Sequence, residues 1–327
     1  MRFLKPDAEI WEQKFPDSSS KNFQEECIQY MYEHIEKCGR VCYKSSDKIG
    51  DKPAKEFINR LINSGHGAML EHGTVYLNIP CKLDYNDYGD ITWIKIKSNS
   101  SYEEYEANPY TRVNLVKHGW ATEGNIYITT NYRVLVENGW LDDLKYVCAP
   151  TEYHEKRYTI CFTTDIGVSR EANRHRVDSI AEESTRYCNY NKDKFGKELN
   201  YIVPAWFDLK DINEAVSKLN PFMSSEYTEK ENQGIAAFYT GDWSALDWWL
   251  WGLKCCEVAY MKQIELGLTP QQARQSLPLN TKTTLVHTAF ESDWKHFFDL
   301  RVLGTTGAPH PNMKKVAEIA YNKVQHG

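Results

Sequence analysis

Apolar side chains recur at three- to five-residue steps between residues 22 and 38. Phe23, Cys27, Ile28, Met31, Ile35 and Cys38 would share one side of a helix there. The spacing returns at Phe57, Ile58, Leu61 and Ile62, in a second helix that starts near Pro53, a favoured first helical residue, and stops at Gly65. Both stripes predict core packing. The period then shortens to two: residues 74–79, 91–97 and 158–164 alternate as strands. A helix is expected across 129–136, capped by Thr130 or Asn131.

The strand at 158–164 feeds a predicted helix over 167–176, on which Arg170 and Arg174 lie one turn apart on one face. Arg174, His175 and Arg176 would then point about 100° apart, so one ligand could not meet all three. Residues 202–206 lead to a short helix from Asp211 that ends before Pro221, followed by a polar loop over 224–234. Trp243, Trp248, Trp249 and Trp251 open a long helix running to Leu266, with Gly267 past its end. Such an aromatic stripe suits a core or a subunit interface. Thr269, Pro270 and Gln272 make a capping box with proline in its first turn.

Composition narrows the class. A chain of 327 residues, 41% hydrophobic with 21 Tyr, 12 Phe and 10 Trp, can bury a substantial core, as one large domain or two small ones. A net charge of -6 argues against a general nucleic-acid coat, which needs a basic face. There is no apolar run of about 18 residues and no apolar stretch at the N-terminus, so neither a membrane helix nor a signal peptide is expected. The nine cysteines are scattered without a Cys-x-x-Cys pair, which speaks against a disulfide scaffold or zinc ribbon and for a reduced cytoplasm, bacterial or phage-infected.

Against that acidic background, Arg170, Arg174, His175, Arg176 and Arg186 fall within 17 residues. Guanidinium forks match phosphate oxygens and carbonyls, so an anion site is one reading. A solvated helix face with pairs such as Glu171 and His175 is the other. His66, Glu71 and His72 stand within seven residues, but six positions separate the histidines at a helix-to-strand turn, so no metal is expected. No Gly-x-Gly-x-x-Gly occurs, and a dinucleotide-binding doubly wound fold is not supported.

Arg174-His175-Arg176, seven residues, then Ser184-Thr185-Arg186 resembles the signature of the flavin-dependent thymidylate synthases, and the run to Tyr190 is similar to a divergent phage or Bacteroidetes-type branch. Gly39-Arg40-Val41-Cys42-Tyr43 and the turn from Gly65 to His72 resemble two earlier family segments. Ala273-Arg274-Gln275-Ser276-Leu277-Pro278 and His296-Phe297-Phe298-Asp299-Leu300-Arg301 resemble its C-terminal ones. The resemblance implies an α/β (α+β) fold, a mixed β-sheet flanked by helices, in a homotetramer with sites between subunits. It implies a single catalytic domain over 1–327, with an insertion at about 81–150 that either decorates the surface or lines a site or interface.

The implied activity is reductive methylation of dUMP to dTMP, with methylene-tetrahydrofolate and NADPH as co-substrates, FAD as cofactor and no protein nucleophile. By resemblance Arg301 is catalytic, stabilising negative charge on the N3/O4 side of the uracil. Glu171, Arg174, Glu182, Ser184, Arg186 and Arg274 would bind dUMP with it. His66, Ala68, Arg174, His175, Arg176, Glu182 and His296 would hold FAD. Ala68 stands where the family has a serine, Glu171 where relatives often have glutamine, and Phe290-Glu291-Ser292 where they have a flavin-binding Asn-x-Arg. Asn131-Tyr132-Arg133 has the lost pattern, so Arg133 is a candidate replacement. A related C5 transfer to dUMP or dCMP, including hydroxymethylation, is the neighbouring alternative. Single-stranded nucleic-acid binding by arginines and aromatics is the alternative from another class, and the low pI opposes it.

Overall fold

The computed structural model describes residues 1–98, 100–118, 122–223 and 243–326, so the loop expected at 224–234 lies outside the described residues. In chain order, β1 (Arg2–Leu4) and β2 (Asp7–Trp11) precede α1 (Phe23–Val41), α2 (Ala54–Asn63) and a tight 3-10 turn at Gly67–His72. Next come β3 (Thr74–Tyr85), β4 (Ile91–Ile96), α3 (Tyr102–Ala107), β5 (Arg112–Lys117), β6 (Glu123–Asn131) and α4 (Tyr132–Asn138). The remainder is β7 (Arg157–Asp165), α5 (Ile166–Ala172), β8 (Ser179–Glu182), β9 (Asn200–Ile202), α6 (Leu209–Met223), α7 (Ala245–Glu265), α8 (Pro270–Ala273), β10 (Lys282–Phe290), α9 (Glu291–Phe298) and α10 (Pro311–His326). No described helix is long and apolar enough to cross a membrane.

The chain has the expected α/β character, but its strands do not form one mixed sheet. Two four-stranded sheets, ordered β2-β7-β10-β8 and β4-β3-β6-β5, are antiparallel throughout, and among the described residues parallel pairing is confined to β1 with β9. Residues 81–150 are not a surface ornament. Ile126 and Ile128 of β6 and Leu135 of α4 share a core with Ile35 of α1, Ile58 of α2 and Leu77 and Ile79 of β3. A second core joins Phe162 and Leu285 of the other sheet to Trp294 and Phe297 of α9 and to Val316 and Ala317 of α10.

Helix α1 serves both sheets. Met31 and Ile35 face the first core, while Cys38 and Val41 pack on Cys161, Ala181 and Val286. Gly73 lets the chain pass close beneath it, since a Cβ there would come within 2.5 Å of Ile35. Beneath α1 a buried polar chain ties the two halves together. His72 Nδ1 contacts Thr288 Oγ1 at 2.7 Å, Thr288 Oγ1 contacts Thr159 Oγ1 at 2.7 Å, and Thr159 Oγ1 contacts His34 Nε2 at 2.9 Å. Burial holds His34 down at about 3, so it stays neutral, as a hydrogen-bonded core histidine must.

Two expected helices end elsewhere. The helix expected over 167–176 stops at Ala172, and Arg174, His175 and Arg176 sit in the turn that follows. The reason is tertiary. Ser179 must already be extended to pair with Thr288 of β10, which leaves six residues to unwind and turn. The helix expected from Asp211 begins at Leu209 and runs through Pro221 to Met223, so the proline costs one backbone hydrogen bond near its end without setting the boundary. The long aromatic helix is as expected: Ser244 caps α7 in a capping box with Asp247, and Gly267 follows with φ +97°.

Candidate functional site

Between the 174–178 turn and the C-terminal end of α9 lies a cavity of about 240 Å³. One wall carries Arg174, His175, Arg176 and Asp178; the other carries Asp293, His296, Leu300 and Arg301. Local backbone explains the second wall. After Phe298 the chain adds a π-helical turn at Asp299–Leu303, which turns Arg301 off the regular α-helical track. Gly304 ends that turn at φ +69°, and Thr305 N donates to Asp299 O at 3.1 Å. A glycine is needed there because a side chain rarely adopts that backbone.

Arg301 is clamped on three sides. Its Nε donates to His175 Nε2 at 3.2 Å, its Nη1 to Glu171 Oε2 at 3.3 Å and its Nη2 to the Glu171 carbonyl at 3.0 Å. Burial, then the charge of Arg301 and the neighbouring His296, push His175 down to about 4. Its ring is therefore neutral near pH 7, with Nε2 accepting from Arg301 and the proton assigned to Nδ1. Phe297 packs on that ring at 4.8 Å and fixes its plane. Arg174 and Arg176 are exposed, as is His296. These are cations and donors held at the mouth of the cavity.

The remaining expected site residues lie elsewhere on the chain. Glu182 on β8 is half-buried behind α5, its Oε1 accepting from Thr283 Oγ1 at 3.0 Å, and burial raises its carboxyl. Ser184, Arg186 and Arg274 gather at a different edge: Arg186 Nε donates to Gln271 Oε1 at 3.1 Å, and Arg274 is exposed just beyond α8. Cys42 links the early segment to this edge, its carbonyl accepting from Ser184 N at 2.9 Å, while Tyr43 packs on Tyr187 at 5.0 Å. His66 and Ala68 are exposed at the 3-10 turn, and neither lines the cavity. A somewhat larger hollow of about 300 Å³ beside Phe23 and Val147 contains none of the expected residues.

Arg133 packs against the same turn, where Glu71 and Glu137 already match its charge, and Asn131 is the N-cap of α4, accepting from Val134 N at 3.1 Å. The arginines over the Phe290 ring are instead Arg157, from β7, at 5.8 Å and Arg112, from β5, whose guanidinium stands nearer at 4.2 Å. Arg112 also pairs with Asp293 at 3.2 Å and Glu155 at 3.3 Å. The 81–150 region thus touches the cavity wall through a residue that no local pattern marked. Because about a third of Arg112 is solvated, Arg112→Ala is expected to cost about 1 kcal/mol of stability in urea denaturation. An unchanged midpoint would mean that this clamp does not hold the wall.

Asp178, His287 and Arg112 were all missed from sequence. Asp178 lies inside the signature, but nothing around it marks a partner on a strand 109 positions away.

Comparisons with known proteins bear on what such a site does. Residues 150–326 match the family model described as thymidylate synthase complementing protein. Among solved structures, the chain is similar to the UMP/dUMP methylase PolB from Streptomyces cacaoi, bound with 5-Br dUMP, at 16% identity and a TM-score of 0.37, covering 99% of this chain and 92% of that one. The same enzyme bound with 5-Br UMP gives 14% identity, a TM-score of 0.38, and coverage of 99% and 91%. No curated protein matches the sequence.

Proposed function

Because the chain belongs to the thymidylate synthase complementing protein family, we propose that it is a flavin-dependent thymidylate synthase of the divergent phage or Bacteroidetes type. In this reading dUMP becomes dTMP. The carbon comes from 5,10-methylene-tetrahydrofolate and is reduced to methyl at the expense of NADPH, through FAD. The clamping of Arg301 is the observation that carries the proposal. A guanidinium has five N–H donors; three are committed to His175 and Glu171, which leaves two for a ligand in the cavity. Such a preorganised pair suits the negative charge that develops on the N3/O4 side of uracil as C5 becomes nucleophilic. Among the described residues that line the cavity, the groups facing C5 in this reading are charged or hydrogen-bonding, and Arg301 activates the base by charge stabilisation.

The residues present fit a flavin in part. Arg174, Arg176 and His296 offer donors for phosphate or ring carbonyls, whereas Ala68 lacks the hydroxyl of the family serine. A cavity of about 240 Å³ takes a ring or a phosphate but not a whole dinucleotide, since drug-sized ligands occupy roughly 300–1,000 Å³. The rest of the site then comes from another copy in a homotetramer, which brings His66, Ala68, Ser184, Arg186 and Arg274 to this cavity. FAD, when bound, would relay reducing equivalents from NADPH to the one-carbon unit. Arg301 orients and polarises the base, and the neutral His175 keeps Arg301 in place without adding a competing charge.

A second reading, C5 transfer to dCMP, is favoured by Glu171 alone, whose carboxylate can accept from a ring amino group. Purified protein supplied with FAD, NADPH, methylene-tetrahydrofolate and dUMP is expected to form dTMP. Turnover of dCMP but not dUMP would shift the assignment to the second reading, and turnover of neither by the FAD-loaded protein would overturn both.

A further inference from the structure

Asp178 lines the cavity, yet none of the roles above uses it. Its side chain is only 3% exposed, and its Oδ2 is enclosed without a hydrogen-bond partner. That oxygen lies 3.3 Å from Nδ1 of His287, without the alignment of a hydrogen bond. His287 sits on β10, fully buried among the rings of Phe162, Trp294 and Phe297, and neither of its nitrogens has a partner. Three unpaired polar atoms enclosed together are costly in a core. Their position against a cavity wall gives them a use.

We propose that Asp178 and His287 act as one polar unit, with Nδ1–H of His287 turned to the enclosed Oδ2, and that Asp178 offers its other oxygen as a carboxylic acid O–H to a carbonyl of the heterocycle bound in the cavity. The inference rests on the reading that this cavity takes a pyrimidine or flavin ring. Several charged groups surround Asp178. Arg157 faces it from β7, Asp293 and His296 stand on α9, Arg301 follows α9, and Arg174 and Arg176 belong to its own turn. Burial, then Asp293, push its carboxyl up to about 7 against the opposing pull of Arg157. Burial, then His175, hold His287 down at about 3, so the imidazole is neutral and has one donor to give.

The sign follows from the acid being the binding form. Affinity for the ring is full below about pH 7 and lost as pH rises through that value, by up to about tenfold per unit. Dissociation constants for dUMP and for FAD are measured from pH 6 to 9 on wild type and Asp178→Asn. The amide keeps a donor on the cavity side but does not titrate, and it carries the same ligand ionisations as a control. At least one ligand is expected to show a ratio of wild-type to variant affinity that falls above pH 7. A ratio that is flat or rises with pH for both overturns the donor role. The infrared band of a protonated carboxyl, present in wild type at pH 6, lost at pH 9 and missing from the variant, is the ligand-free counterpart. Its absence at pH 6 overturns the donor role whatever the ligands do. If neither ligand binds wild type while the band behaves as stated, the functional reading fails, and the ring-binding role fails with it.

Discussion

If the proposed function holds, replacing Arg301 with alanine is expected to lower the rate of dTMP formation at saturating dUMP by about 10²–10³-fold, the scale seen when a preorganised donor to a developing oxyanion is removed. The fold should survive. Glu171, left without its partner, is a third exposed and can turn to water. Arg301→Lys is expected to recover little, since an ammonium cannot serve His175, the Glu171 carboxylate and the Glu171 carbonyl while also presenting two further donors to a base. A turnover number within threefold of wild type in either variant would remove Arg301 from the chemistry.

Trp294 carries the largest expected effect on stability. It is fully buried, stacks with Tyr158 on one side and Phe298 on the other, and donates its indole N–H to the Tyr158 carbonyl at 3.1 Å. Trp294→Ala removes that packing and leaves a cavity, at a cost of about 3–5 kcal/mol in urea unfolding at neutral pH. Trp294→Phe should cost less, yet still leaves the Tyr158 carbonyl without its donor. A shift below about 1 kcal/mol for the alanine variant would mean that this core collapses around the gap.

Where local pattern and tertiary environment agree, the fold was legible. Ile35 and Ile58 are buried as their spacing predicts, and the caps at Asn131 and Thr269 lie where short polar side chains precede helical runs, whereas β7, read as alternating, is buried on both faces. The turn after α5 was not legible, because 167–176 has helical pattern while its end is set by the pairing of Ser179 with β10 and by the hold of Arg301 and Phe297 on His175. The place of 81–150 was hidden for a different reason. A segment read as an insertion looks dispensable, although Ile126 and Ile128 complete the core under α1 and α2.

The site divides in the same way. Arg174, His175, Arg176, His296 and Arg301 share motifs, and the fold brings them to one cavity across more than a hundred positions. His287 and Arg112 gain their interest from neighbours that leave no trace in the sequence around them: one lies on β10 at 3.3 Å from Asp178, the other opens β5 as an apparently solvated cation. Motif reading finds residues that recur together. It misses residues that matter only because of what they meet.

In the proposed function, nucleotide and flavin come together in the cavity beside Arg301. Titrating dUMP into the FAD-loaded protein while following the flavin absorption band tests it most directly. A saturable shift of that band is expected in wild type and is expected to disappear in Arg301→Ala, with FAD still bound. A band unmoved by saturating dUMP in the wild-type protein, or moved equally in the variant, would contradict it.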